Sequence, residues 1–215
     1  MSDTKFERYG LLGGVIFVLL TLIPALATGA PPDVSAPASE IAEYLSDNAG
    51  AIQLAGVLSL IASVFLLFWA GSLWRAMVRA EDGQPRLAVV AALGLVIGGS
   101  LAAVTGAIGT TMSFRVDDLG EGVTFFWLMV VILQASTIVG IAAQVGAVSA
   151  LGIRTRFIPS WLAWGGVAVT VLALLGTIGA GSDEDLWLGL GFLAFILWSV
   201  WILCITAVLW KKLDA

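Results

Sequence analysis

Histidine is absent from the 215-residue chain, cysteine occurs once, and only 12% of the residues are charged. Each shortage excludes something. Without histidine there is neither the commonest general base nor the commonest metal ligand. Imidazole-held haem and Ser–His catalysis are excluded with it. The lone Cys204 forms no internal disulfide and no zinc cluster, so it reports nothing about redox compartment. It reads as a small hydrophobe. The charged fraction is about half the ~25% usual for a soluble domain, while apolar residues reach 60% and mean hydropathy is +1.03. That balance excludes a soluble enzyme, a nucleic-acid binder and a disordered tail.

What the chain has instead is length without charge. A spanning helix needs roughly 18 or more apolar residues in a row. Six runs pass, at about 10–29, 51–74, 87–112, 123–152, 159–181 and 186–210, and all fifteen acids and all ten bases fall outside them. In lipid every backbone polar group must be satisfied within the element, so such runs should be helices. The short alternating segments of a β-barrel are missing. The expected fold class is therefore all-α: a polytopic membrane bundle of six transmembrane helices, one domain over 1–215 with no linker. The thirty-residue fourth run is about 45 Å long at ~1.5 Å per residue, so it should tilt or project beyond the hydrocarbon.

The connecting segments alternate in sign. Lys5, Arg8, Arg75, Arg79, Arg86, Arg154, Arg156, Lys211 and Lys212 belong to one set, and only Arg115 to the other. Asp33, Glu40, Glu43, Asp47, Asp117, Asp118, Glu121, Asp183, Glu184 and Asp185 share the side of Arg115, while Asp3, Glu7, Glu81, Asp82 and Asp214 join the bases. The two faces carry +4 and −9, which together make the net −5. The excess of bases places that face, with both termini, in the cytoplasm. Lys5 and Arg8, the apolar stretch and Ala25-Leu26-Ala27 also have the form of a cleavable secretory signal. The length of the run favours a retained first helix.

Only the connection at 30–50 is long. Ser39 suits an N-cap there, Ile41, Tyr44 and Leu45 share one face, Glu40, Glu43 and Asp47 the opposite one, and Gly50 suits the stop. This reads as a short amphipathic helix in the first outer loop, resting on the outer leaflet or on the bundle. The alternative is a lid or a partner-docking element. The outer acids lack the ordered spacing of a calcium loop and read as solvated surface. Gly13-Gly14-Val15 recurs as Gly165-Gly166-Val167, and Leu20, Leu22 and Gly29 match Leu172, Leu174 and Gly181 at the same offset of 152. Hairpin duplication and chance within a Gly/Leu-rich alphabet both account for that.

Three patterns bear on the interior. Gly94, Gly98, Ala102, Gly106 and Thr110 lie four apart in the third span, a smooth ridge suited to close helix packing, or alternatively a substrate path lined by backbone. The third span should then sit centrally, and Leu should fit badly at Gly98 or Ala102. Gln134, Thr137, Ile141 and Gln144 follow i, i+3, i+7, i+10 in the fourth span. Glutamines are costly in hydrocarbon, so this stripe should face protein, or else a polar ligand or water path. Trp74, Trp161, Trp164 and Trp210 fit an inner interfacial belt and Trp127 and Trp187 an outer one. Trp198 and Trp201 fall at mid-depth near Phe192 and Phe195, as core or lipid-facing bulk, or as the aromatic wall of a pocket.

Reactive groups are scarce. None of the six runs holds Asp, Glu, Lys, Arg or His, as proton relays, voltage sensors and retinal Schiff bases require. No phosphate-binding glycine loop occurs. Two stretches carry a resemblance: Glu40-Ile41-Ala42-Glu43-Tyr44-Leu45 leading into span two, and the basic turn Arg154-Thr155-Arg156-Phe157-Ile158-Pro159-Ser160-Trp161-Leu162 that opens span five. On these the chain resembles a family of small bacterial multi-pass membrane proteins of unassigned activity. The resemblance implies a bacterial plasma membrane and no catalytic residue. The expectation is a non-enzymatic structural or accessory membrane component without cofactor or metal. Its partners would be the lipid bilayer and either its own copies or another membrane protein, and no nucleic acid. The alternative is binding or transport of an apolar or weakly polar molecule or lipid between spans four and six, lined by Gln134, Thr137, Gln144, Trp198 and Trp201.

Overall fold

The computed structural model describes residues 3–28, 31–182 and 184–213. Gly29, Asp183 and Asp214, counted above, lie outside them. The described residues form α1 (Asp3–Ala27), α2 (Ala38–Asp47), α3 (Ala49–Ala80), α4 (Leu87–Phe114), α5 (Val116–Leu119), α6 (Gly122–Thr155), α7 (Ser160–Gly176) and α8 (Asp185–Lys212). A 3-10 turn, Thr177–Gly181, extends α7, and no strand occurs among the described residues. Six of these elements are long and apolar enough to cross a membrane: α1, α3, α4, α6, α7 with its 3-10 turn, and α8.

Consecutive spans lie side by side, the usual arrangement of sequential elements, and this holds even for the first pair, which a long connection joins. Thus α1 packs on α3, α3 on α4, α4 on α6, α6 on α7 and α7 on α8, and α8 returns to α1 to close the ring. A second contact, α6 with α8, crosses its interior. The core is Phe17, Trp69, Ile141, Val145, Trp198 and Ile202 with their neighbours. One end of the ring gathers Glu7, Arg79, Phe157 and Lys212, whose side chains or backbone bond across it. The acidic segments occupy the other end, where α2 rests.

Local chemistry sets the turns at the basic end. The α3 helix stops with Asp82 at φ 52 and Gly83 at φ 80. Gly83 N–H bonds to Val78 O at 3.0 Å and Asp82 N–H to Arg79 O at 3.4 Å, the paired closure of a Schellman motif. The carboxylate of Glu81 then reaches the next helix. It accepts N–H bonds from Arg86 (3.2 Å), Leu87 (2.9 Å) and Ala88 (3.0 Å), three of the donors a helix start leaves unpaired. The α6 helix ends on Arg156 at φ 57, whose N–H bonds to Gly152 O.

Several expectations need correction. The short helix α2 is capped by Pro37, not Ser39. Pro37 is extended and its carbonyl takes the first helical bonds, from Glu40 and Ile41, so Ser39 is already inside the helix. The helix stops at Asn48, not Gly50. The Asn48 side chain and backbone N–H both bond to Tyr44 O, while its carbonyl accepts from Ile52. One residue therefore ends α2 and starts α3, and Gly50 lies within α3. The apolar face of α2 packs on the bundle: Ile41 and Leu45 cluster with Met112, Val123 and Trp127. Trp127 is thereby buried under α2, with the Tyr44 ring edge-on to it at 5.8 Å.

The third span, α4, is peripheral, not central. Val89, Leu93, Val96, Ile97 and Val104 are exposed on its outer face. Only part of its small-residue ridge is used. A Cβ at Gly94 would meet Gly140 O and Gln144 N at 2.8 Å, and one at Gly98 would meet Thr137 O at 3.2 Å. Ala102 is exposed and Gly106 has nothing within 4 Å. The reason is rotational. Positions four apart advance about 40° per step on an α-helix, so Gly106 is turned about 120° from Gly94. The expected misfit of Leu therefore holds for Gly98 but not for Ala102.

The matched glycines of spans one and five have similar uses. Gly14 lies against the Trp69 indole and Gly166 against that of Trp201. Each omits a Cβ where the neighbouring span's ring is seated.

Candidate functional site

Of the residues singled out along the sequence, the structure joins Gln144 and Trp198. Trp198 Nε1–H donates to Gln144 Oε1 at 2.8 Å, with Gln144 0% and Trp198 5% exposed. An indole only donates, so it fixes the amide oxygen towards α8. Phe17 meets the Trp198 ring edge-on at 5.5 Å, and Phe195 lies at 6.0 Å on another side. Trp201 Nε1–H donates to Leu162 O at 3.1 Å. Both mid-depth tryptophans are therefore core residues that tie α8 to α6 and α7.

Gln134 and Thr137 do not join them. Gln134 is exposed, and Thr137, half-buried, donates its hydroxyl to Leu133 O within its own helix. Ten residues turn an α-helix through about 1000°, leaving Gln134 roughly 80° away from Gln144 and about 15 Å along the axis. The stripe drifts too far to stay on one face.

A third indole bond was not anticipated. Trp69 is fully buried and its Nε1–H donates to Thr206 Oγ1 at 2.8 Å, tying α3 to α8. The signal was partial: an indole N–H inside an uncharged run calls for an acceptor, and the C-terminal half of α8 offers two hydroxyls, Ser199 and Thr206.

The Gln144 pair is half satisfied. Gln144 Nε2 and, further along α6, Ser149 Oγ are buried without a hydrogen-bond partner among the described residues. Trp198→Phe removes the bond that Gln144 does make, leaving the whole amide unpaired at a cost of about 1–3 kcal/mol. Adding Gln144→Leu should recover most of that loss, since removing both partners is nearly neutral. Thermal unfolding of the two variants in one detergent checks this; equal losses in both would refute it.

Polar groups and open space coincide at the basic end. A cavity of about 190 Å³ lies between α1, α3, α8 and the α6–α7 turn. Leu11, Ala76, Phe157, Leu209 and Leu213 make its apolar wall, and Glu7, Ser72, Arg79 and Lys212 its polar one. Glu7 is only 8% exposed. Its Oε1 accepts from Arg75 Nε at 2.8 Å and from Arg79 Nη2 at 3.0 Å, while Ser72 Oγ donates to Glu7 O at 3.2 Å. Ser72, Arg75 and Arg79 stand at i, i+3 and i+7 of α3, hence on one face. Lys212 donates to Phe157 O, and Arg8 donates to Leu213 O at 3.5 Å while lying 5.6 Å over the Trp210 ring. Basic segments were expected together here. The buried acid at their centre was not, because a lone Glu7 in a mixed-charge terminus carries no sequence signal of burial.

Among the described residues, no three His, Cys, Asp or Glu side chains converge to hold a metal. A smaller cavity, about 20 Å³ between α3 and α4 and lined by Leu73, Trp74 and Met77 among others, holds about one water at most. No family model, curated protein or solved structure matches the chain.

Proposed function

We propose that the chain is a non-catalytic structural or accessory component of a bacterial plasma membrane. It crosses the bilayer six times, with the basic end and both termini in the cytoplasm. Six long apolar helices and the preference of Lys and Arg for the cytoplasmic side support the crossing and its direction. The resemblance supports the bacterial plasma membrane.

The observation that carries the structural role is the Gln144–Trp198 bond. The one glutamine sunk in the bundle serves helix association, as a polar residue between spanning helices does at about 0.6 kcal/mol per bond. Binding between α6 and α8 has less behind it, because Gln144 and Trp198 bond to each other there. An accessory component works through contact with its own copies or another membrane protein. Crosslinking in native membranes, followed by mass measurement in lipid nanodiscs, tests this. A defined dimer, higher assembly or stoichiometric partner is expected. A lone monomer under both conditions contradicts the proposal.

A further inference from the structure

The geometry points to a binding site for the phosphate headgroup of an anionic phospholipid in the 190 Å³ cavity at the basic end. This rests on the membrane reading above but not on the structural role. Its chemistry is two-sided. Leu11, Ala76 and Leu209 belong to the apolar parts of α1, α3 and α8, whereas Arg79 and Lys212 stand at the ends of α3 and α8. The cavity therefore straddles the level where hydrocarbon gives way to charge, the depth at which a phospholipid carries its phosphate. A soluble anion has no use for the leucine wall, and an uncharged lipid has none for the cations.

The charge balance favours an anion despite Glu7. Arg75 already holds the Glu7 carboxylate at 2.8 Å from outside the cavity lining. Arg79 shares that same oxygen at 3.0 Å and keeps its side chain 58% exposed, leaving guanidinium donors for a second oxyanion. Lys212 bonds only to a neutral carbonyl, with no carboxylate within ion-pair distance among the described residues. The Ser72 hydroxyl on the same wall is already given to Glu7 O, so the two cations carry the site. A phosphate between Arg79 and Lys212 thus meets two cations. Glu7 orients Arg79 from behind and stands as the one acid on that wall.

The test uses the full chain purified in an uncharged detergent and titrated with dioctanoyl phosphatidylglycerol, dioctanoyl phosphatidylcholine or inorganic phosphate. Native mass spectrometry and thermal shift give the readout. The expected result is one phosphatidylglycerol bound at least about tenfold more tightly than phosphatidylcholine. That preference should disappear in Arg79→Gln/Lys212→Gln and persist in Arg115→Gln at the opposite end. Ala76→Phe, which fills the cavity without touching a charge, should lose binding as well; it keeps the site testable if the charge variant does not fold. Equal binding of the two lipids, or a preference that survives both variants, overturns the site. Inorganic phosphate competing at equal concentration overturns the lipid as occupant. None of these failures touches the six crossings or the assembly experiment.

Discussion

Gly140→Leu should yield no folded protein. Gly140 sits where α4 and α6 cross, and a Cβ there would lie 2.5 Å from Gly94 O, 2.5 Å from Gly98 Cα and 2.6 Å from Gly98 N. All three are backbone atoms of another helix, so no rotamer change relieves the overlap, and the helices must part. Overpacking typically costs 1–3 kcal/mol where side chains can yield; here the loss should be about 3 kcal/mol or more. Parting α4 from α6 also forfeits the close backbone approach that substitutes for a hydrophobic driving force in lipid. Size-exclusion profiles and melting curves in detergent read the result. Gly140→Ala should be visibly destabilised and Gly140→Leu absent from the monodisperse peak. Gly106→Leu, with nothing within 4 Å of its Cβ, should change stability by no more than about 0.5 kcal/mol. Similar behaviour of the 106 and 140 variants would refute the crossing point.

The second large effect belongs to Glu81. Its carboxylate is buried, 8% exposed, and caps α4 through three backbone N–H groups. Burial alone would raise its pKa. The bonds from Leu87, Ala88 and Arg86 and the nearby charge of Arg154 outweigh burial and hold the carboxyl below its ordinary 4.5. Glu81→Ala leaves the N–H groups of Leu87 and Ala88 facing a buried gap, while Arg86 N–H keeps its bond to Gln84 O at 2.9 Å; the expected loss is about 2–3 kcal/mol, since bonds to a charged group are worth ~1.5–3 kcal/mol each before relaxation. The pH dependence follows from the sign of the shift. A depressed folded pKa means the carboxylate's contribution is whole above the unfolded value near 4.5 and fades as pH falls through the lower folded one. Wild-type stability should therefore drop below that window, and Glu81→Gln should start lower at neutral pH and fall less steeply. Thermal half-life against pH in one detergent separates the two. Parallel curves would mean that Glu81 does not cap α4.

The long-range order of this fold was legible because it rests on counting. Uncharged runs of 20 to 30 residues and alternating loop charge need no knowledge of which face packs where. Facing was poorly legible. The hydrophobic pattern of these spans has no strong polar side to orient them, so Gln134 and Gln144 seemed equivalent. Only Gln144 is inside. The ridge Gly94, Gly98, Ala102, Gly106 announced close packing correctly but not its extent, because a straight helix rotates its i+4 positions out of any one contact. Trp69 and Thr206 pair across 137 positions, a partnership that no local pattern shows. Glu7 was invisible for the related reason that its burial comes from α3, α8 and the Phe157 turn together.

Single cysteines placed at Thr155 and at Ser182, each in a Cys204→Ser background, bear most directly on the membrane-crossing fold. The two positions flank α7, the fifth span. Intact cells expressing each variant are treated with a membrane-impermeant maleimide, before and after permeabilisation. Six crossings with the basic end inside require the cysteine at 182 to react in intact cells and the one at 155 only after permeabilisation. Reaction of both from the same side would mean that α7 does not cross, and the bundle as described does not exist in the membrane.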